Sequence, residues 1–417
     1  MTMDPIAQKL IDFTLTARPG AEARAVMQLS LYDWLACGLA GRPEPLARIT
    51  REQALAEGGA ELAMMLGGGR VPARAAALVN GATSHALDYD DTHFAHIGHP
   101  SVAVIPAVLA VGSDDVVGDA LIGAEASVAV GMWLGRGPYK VGFHPTAIAG
   151  AIGATLGAAR ARGLTAEQTG HALGIAATKA AGLISTFGTM AKPLNAGLAA
   201  ECGVVATDLA ARGFIANPGS LAGPNGLWAT HHGDGDAGAL NTLGADWRMV
   251  DVSHKLHACC HGLHAMLEAL SGTEGTPEAV QVTTHSRWMP VCNIAEPATG
   301  LQAKFSYRHT AAMALSGMDT GDIGSFTDAC ANDPRLMALR RRVAVITDDT
   351  LSEMQARVVV DGKALFHDLA APMPLSLRTE KLRRKGRALL GDLEPEAWNV
   401  TARPQVTADA LQPLMGV

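Results

Sequence analysis

The sequence predicts a mostly α-helical protein, with a large all-helical domain and a smaller α+β lid domain. Three observations carry that expectation. Aromatic residues make up only 4% of the 417 residues while Ala and Gly are abundant, with 46 Gly; small residues in long apolar runs favour closely packed helices over a β-sandwich. The first 255 residues show no alternation of strand-like and helix-like segments, which argues against a Rossmann or TIM arrangement. After about residue 265, alternating and β-branched segments enter. The length also exceeds one ordinary domain of roughly 100–200 residues.

Taken in order, segment 22–40 places Met27, Leu31, Leu35 and Leu39 at helical spacing, with Gly41 at its end. Segments 45–57, 70–86, 101–112, 119–134, 145–161, 165–187 and 194–212 have comparable apolar content, and Gly, Pro or Asn lies near most of their boundaries. AVQVTTHS (279–286) alternates and RRVAVITDD (341–349) is β-branched. ARVVVDGKALFHDL (356–369) holds Asp361-Gly362 between two strand-like runs, a strong hairpin signal. Helix-like pieces at 304–317 and 322–341 interrupt the strands, and PLSLRTEKLRRKGRALL after 373 returns to helical composition. The expected division is 1–264 with 374–417 as the helical domain and 265–373 as the α+β lid.

Composition narrows the function classes. Hydrophobic residues are 48% and charged residues 18%, enough for a core and too apolar for disorder. The formal charge is −7, from 33 basic and 40 acidic residues. The basic runs Arg340–Arg342 and Lys381–Arg387 lack aromatic interleaving and read as solvated faces, so nucleic acid is not an expected partner. The start MTMDPIAQKL lacks a cationic stretch followed by an apolar one, the pattern of a signal peptide. The apolar runs 102–112 and 147–159 fall short of the about 20 residues a bilayer requires, so no membrane partner is expected. Six sparse cysteines suggest reduced thiols in a cytoplasm rather than a disulfide framework.

Four clusters could carry chemistry. ATSHALDYDDTHFAHIGHPS (82–101) packs His85, Asp88, Asp90, Asp91, Thr92, His93, His96 and His99 between two apolar helices. It reads either as a polar interhelical loop or as a site, and polar loops on apolar scaffolds are where sites are commonly built. His93, His96 and His99 have metal-like spacing, but Gly98 and Pro100 oppose a continuous helix presenting all three. In GFHPTAIAG (142–150), His144 stands at the mouth of an apolar helix whose N-terminus favours an anion. In TMAKPLNAG (189–197), Lys192 sits among small apolar residues and must snorkel to water or meet an anion. SHKLHACCHGLH (253–264) concentrates His and Cys, yet has no C-x-x-C to support a zinc site. Histidines, lysines, an Asp and a Thr on such a scaffold suit acid–base chemistry on an anion, since removing a proton beside a carboxylate needs a base and cations for the developing charge.

These motifs together resemble the MmgE/PrpD family, whose members include 2-methylcitrate dehydratase, cis-aconitate decarboxylase and iminodisuccinate epimerase. The resemblance rests on YDWLACGLAG (32–41), HALDYDDTH with HPS (85–101), GFHPT (142–146), KPLNAG (192–197), GFIANPGSLAGPNGLW (213–228), KLHACCHG (255–262) and AKFS (303–306). It implies a helical domain with an α+β lid, a homodimer, and a site needing neither cofactor nor metal. It points to Asp88, Thr92, His99, His144, Lys192 and Lys255. Lys192 and Lys255 would bind substrate carboxylates, His99 and His144 would handle protons, Asp88 would orient one of them, and Thr92 would add a hydrogen bond. Where many relatives carry Tyr-Pro, this chain has Leu256-His257-Ala258, which adds His257 as a proton-transfer candidate. The expected activity is a lyase, foremost a dehydratase of a small di- or tricarboxylate resembling 2-methylcitrate. A carboxylate epimerase and then a cis-aconitate-type decarboxylase are the enzymatic alternatives. A metal-dependent hydrolase or a non-catalytic carboxylate-binding protein stands outside that class.

Overall fold

A computed structural model describes residues 4–417, so the first three residues of the MTMDPIAQKL start lie outside it. The chain divides into two compact units. One runs to His254 and regains Asp392–Val417; the other is Lys255–Gly391. The sequence places the boundaries at 265 and 374 instead. Helix Leu375–Leu390 falls in the second unit, where Lys381 pairs with Glu268 at 2.5 Å and Arg384 with Asp319 at 2.9 Å.

The first unit is built from α1 (Pro5–Thr16), α2 (Ala21–Gly41), α3 (Pro45–Glu57), a two-stranded β1–β2 turn (Ala63–Met64 and Arg70–Val71), α4 (Ala73–Ser84), α5 (Pro100–Ala110), α6 (Val116–Leu134), α7 (Gly137–Val141), α8 (Pro145–Ala161), α9 (Ala166–Lys179) and α10 (Ala191–Ala211). Met27, Leu31, Leu35 and Leu39 of α2 are all buried. Helices α4, α5, α6, α8 and α10 pack on one another. Small residues make that approach possible: a Cβ on Gly123 of α6 would meet the Gly153 carbonyl oxygen of α8 at 2.5 Å, and one on Gly197 of α10 would meet the Leu78 carbonyl oxygen of α4 at 2.3 Å. By length and apolarity alone α6 could cross a membrane, but 89% of it is buried within the protein.

Differences from the expected helices have local causes. The helix expected over 165–187 starts with a Thr165–Gln168 capping box and stops at Lys179, because Ala180 is extended and Gly182 has φ +132°. Segment 213–253, whose first residues follow the last expected helix, is mostly turns and 3₁₀ pieces, consistent with its many Gly, Pro and Asn residues. The helix-like 322–341 breaks into Asp328–Ala331 and Pro334–Arg340, split where Asp333 caps the second piece and Pro334 opens it.

The second unit holds a four-stranded sheet. β3 (Val280–Thr284) lies between β4 (Val343–Thr347), with which it is parallel, and β5 (Gln355–Val360), with which it is antiparallel; β6 (Lys363–Asp368) pairs antiparallel with β5. The Asp361-Gly362 turn forms as the sequence predicts, with both residues at positive φ, 46° and 86°. Helices His264–Ala269 and Tyr307–Leu315 pack against one another and against the sheet. The protein is thus mostly α with a smaller α+β part.

Candidate functional site

Two His-Pro steps build the centre of the first unit. His99 and His144 each occupy the residue just before a helix, α5 and α8, and each is followed by proline in the first turn. Neither side chain caps its own helix. The backbone N–H of His99 donates to the Thr146 hydroxyl (3.1 Å), which ties the two helix starts together. The HP-Ser and HP-Thr pair therefore brings two imidazoles and two positive helix ends to one place.

The loop between α4 and α5 supplies the carboxylates. Asp88 adopts a left-handed φ of 49°, and its two oxygens meet different partners: Nε2 of His99 at 3.5 Å and the Lys192 ammonium at 2.8 Å. Asp90 is fully buried. One of its oxygens lies 2.8 Å from Nδ1 of His85 and the other 2.7 Å from Nδ1 of His99. Burial alone would push the Asp90 carboxyl up, but the two imidazoles hold it well below the usual carboxylate range. Asp91, also buried, faces the opposite way and accepts from the Ser101 backbone N–H and hydroxyl at the start of α5. Burial raises it to about 7, with Asp33 and Asp90 adding to the rise while Ser101 and Ser30 partly offset it.

His144 is enclosed. Its Nδ1 lies 3.3 Å from the Asn195 side-chain amide, and its ring meets Phe187 edge-on at 4.9 Å. Burial first, then Lys192, pushes its pKa well below the ordinary histidine value, so the ring is neutral near pH 7. The Lys192 ammonium also lies 5.6 Å from the Phe187 ring centre. Lys192 is on the first turn of α10, whose small residues bring it close to α4 and α8.

The other sequence candidates make contacts of their own. Thr92 exchanges two backbone hydrogen bonds with Ser253, each 2.8 Å. Lys255 is buried in the second unit, close enough to the Cys259 and Cys292 thiols to oppose the rise that burial gives Cys259. His257, also in the second unit, has Nδ1 2.7 Å from the Thr320 hydroxyl and Nε2 3.4 Å from Glu268. It lines a cavity of about 250 Å³ with Glu268, Thr320 and Lys381. The evenly spaced histidines diverge: His93 bonds the Arg248 carbonyl at 3.0 Å through Nε2, and His96 is buried with both nitrogens unpartnered. His85, Asp88, Asp90 and His99 do offer ligand atoms within 4.8 Å of one another. In the structure each oxygen of Asp90 pairs with an imidazole and Asp88 pairs with the Lys192 ammonium.

His85 and Asp90 lie in the HALDYDDTH stretch of the first polar cluster, but the sequence assigns them no role, and it does not point to Asn195 or Phe187. The repeated His-Pro step was a usable signal for two helix starts meeting. Nothing local distinguished Asp90 from its neighbours Asp88 and Asp91.

Both units match one family along most of the chain. Residues 5–240 match the MmgE/PrpD N-terminal domain and residues 257–396 the MmgE/PrpD C-terminal domain. The chain belongs to the MmgE/PrpD family. Among its relatives is a cis-aconitate decarboxylase of Aspergillus terreus, 27% identical over 374 residues, covering 78% of this chain and 76% of the relative. The human cis-aconitate decarboxylase is 31% identical over 159 residues, 36% of this chain and 33% of that protein.

Proposed function

We propose that the protein is a cofactor-independent lyase of small di- or tricarboxylates, and that its reaction is decarboxylation of a cis-aconitate-like substrate. The family's relatives move the reading from dehydratase towards decarboxylase, and they lend nothing to the epimerase alternative. The observation that carries the proposal is the connected set Lys192–Asp88–His99–Asp90 beside a neutral His144.

In this reading Lys192 holds a carboxylate that stays on the substrate. The bond to the departing carboxylate breaks, carbon dioxide leaves, and the electron pair remains on carbon, delocalised into the retained carboxylate as an enolate-like anion. Lys192 and the two helix N-termini stabilise that anion. His99, facing two carboxylates, is the ring that can carry a positive charge and deliver the proton to carbon. His144, buried beside a lysine, stays neutral and serves as a hydrogen-bond partner or acceptor. A neutral acceptor beside a cation also supports a second reading, abstraction of an α-proton followed by loss of water from a 2-methylcitrate-like substrate. Thr92, Lys255 and His257 remain candidates for substrate contact or proton transfer.

The test is NMR of the purified protein in D₂O with cis-aconitate, citrate and 2-methylcitrate supplied separately. Carbon dioxide released from cis-aconitate with one deuterium gained by the product is the expected result. Water lost from 2-methylcitrate, with cis-aconitate untouched, would replace decarboxylation by dehydration. We also propose a homodimer, which light scattering on the eluting protein checks: a mass near one chain would remove it.

A further inference from the structure

We infer that Asp90 is a positioning residue that fixes both His85 and His99 in the tautomer with a proton on Nδ1, and that the two rings share one proton beyond those two. The inference rests on the reading above that His99 handles the proton. Its basis is geometric. Each oxygen of one carboxylate meets Nδ1 of a different imidazole, at 2.8 and 2.7 Å, and the carboxylate is wholly buried. A carboxylate only accepts, so each Nδ1 must donate. Nε2 of His99 is thereby turned towards Asp88, and Nε2 of His85 is left buried with no hydrogen-bond partner. The two rings touch edge to face at 4.5 Å.

Charge balance gives the second half. One buried carboxylate between two neutral imidazoles leaves an uncompensated negative charge, whereas one extra proton on the pair cancels it. Two extra protons would set like charges against each other at ring-contact distance. The groups facing this trio are Asp88 and Asp91 on the same loop, His144 from α8, Lys192 from α10, and His96. Lys192 and Asp88 already pair with each other, so the shared proton remains tied to Asp90.

Asp90→Asn separates this from a merely structural role. The asparagine side chain has one oxygen and one NH₂, so one of the two rings must accept at Nδ1 and move its proton to Nε2. In ¹⁵N-resolved spectra of the histidine side chains, both rings of the native protein should report protonated Nδ1, and Asp90→Asn should convert one of them. That measurement needs no substrate. In turnover, Asp90→Asn should lower kcat by roughly 10²–10⁴-fold with KM nearly unchanged, by analogy with loss of an orienting Asp in a Ser-His-Asp site. It should also move the alkaline limb of the kcat profile to lower pH by about 1–3 units, because an imidazolium has lost its carboxylate. His85→Asn leaves the Asp90–His99 pair intact and should move the same limb to higher pH, since the proton then rests on His99 alone. A native ring of His85 or His99 carrying its only proton at Nε2, or both variants shifting the limb the same way, would overturn the inference. Should cis-aconitate and the other acids give no turnover, the substrate reading fails while the ring tautomers still decide the role of Asp90.

Discussion

Asp90 and Asp91 are neighbours in sequence and both fully buried, yet their surroundings drive them in opposite directions. Two imidazoles keep Asp90 charged; burial, helped by nearby acids and only partly offset by serine hydroxyls, leaves Asp91 at about 7. The consequence for stability has a definite sign. An unfolded aspartate loses its proton near pH 3.9, so between there and about 7 the folded state holds a proton that the unfolded state has released. Asp91 therefore makes the fold less stable as pH rises through that window, by on the order of 4 kcal/mol in all. Asp90, held low, contributes its full share above its unfolded value and adds no slope between pH 5 and 8. The buried neutral rings of His96 and His144 slope the other way through about 6.5, as their unfolded forms give up protons. Subtracting one denaturation series from another isolates Asp91. The stability of Asp91→Asn relative to the native protein should climb steadily between pH 5 and 7.5 in urea titrations. A flat difference would mean the carboxyl is already charged in the folded protein.

At the scale of elements, what the sequence made legible was what local chemistry dictates. The α2 stripe and the Asp361-Gly362 hairpin follow from spacing and turn residues alone. Lys192 and His144 stand out as polar side chains beside apolar runs, Asp88 and His99 are singled out by the family resemblance, and the structure brings the four together. Asp90 was not visible, since three aspartates in four positions look alike until burial assigns each a partner. The end of α9 at Lys179 was missed for a similar reason: apolar composition runs on through a stretch that Gly182 turns. The small residues of α10 are also uninformative locally, and their purpose emerges only against α4. A methyl group on Gly197 would lie 2.3 Å from the Leu78 carbonyl oxygen, a backbone atom that no rotamer change can move. Gly197→Ala should thus destabilise the protein by about 1–3 kcal/mol. Because α10 carries Lys192 and Asn195, the shift should also reduce turnover while the protein remains folded. Full activity with unchanged denaturation would show that α4 and α10 have slack that the packing does not suggest.

For the whole molecule, the first unit is assembled from two stretches far apart in the chain. The last stretch, Asp392–Val417, returns to the unit that holds the His85–Asp90–His99 group after the chain has built the other unit. Its contacts are not decorative. The Tyr32 hydroxyl donates to Glu394 at 3.0 Å and its ring meets Trp398 edge-on at 5.3 Å. Val116 donates to the Val406 carbonyl and Gly67 to that of Met415, both at 2.8 Å. Val406, Leu411, Leu414 and Met415 are buried to 2% exposure or less. At about 1.5–3 kcal/mol for each such side chain, these four alone approach the roughly 5–15 kcal/mol that keeps an ordinary domain folded. A chain ending at Gly391 should therefore fail to form its first unit, although the residues of the proposed site are all present. Leu411→Ala is the graded version, expected to cost about 2–5 kcal/mol. Hydrogen exchange read by peptide gives the location: protection should fall in α2, in the Gly67 turn and at the start of α6, which the tail touches directly. If the loss were instead spread evenly over 255–391 as well, the tail would be supporting both units and not only the one it joins.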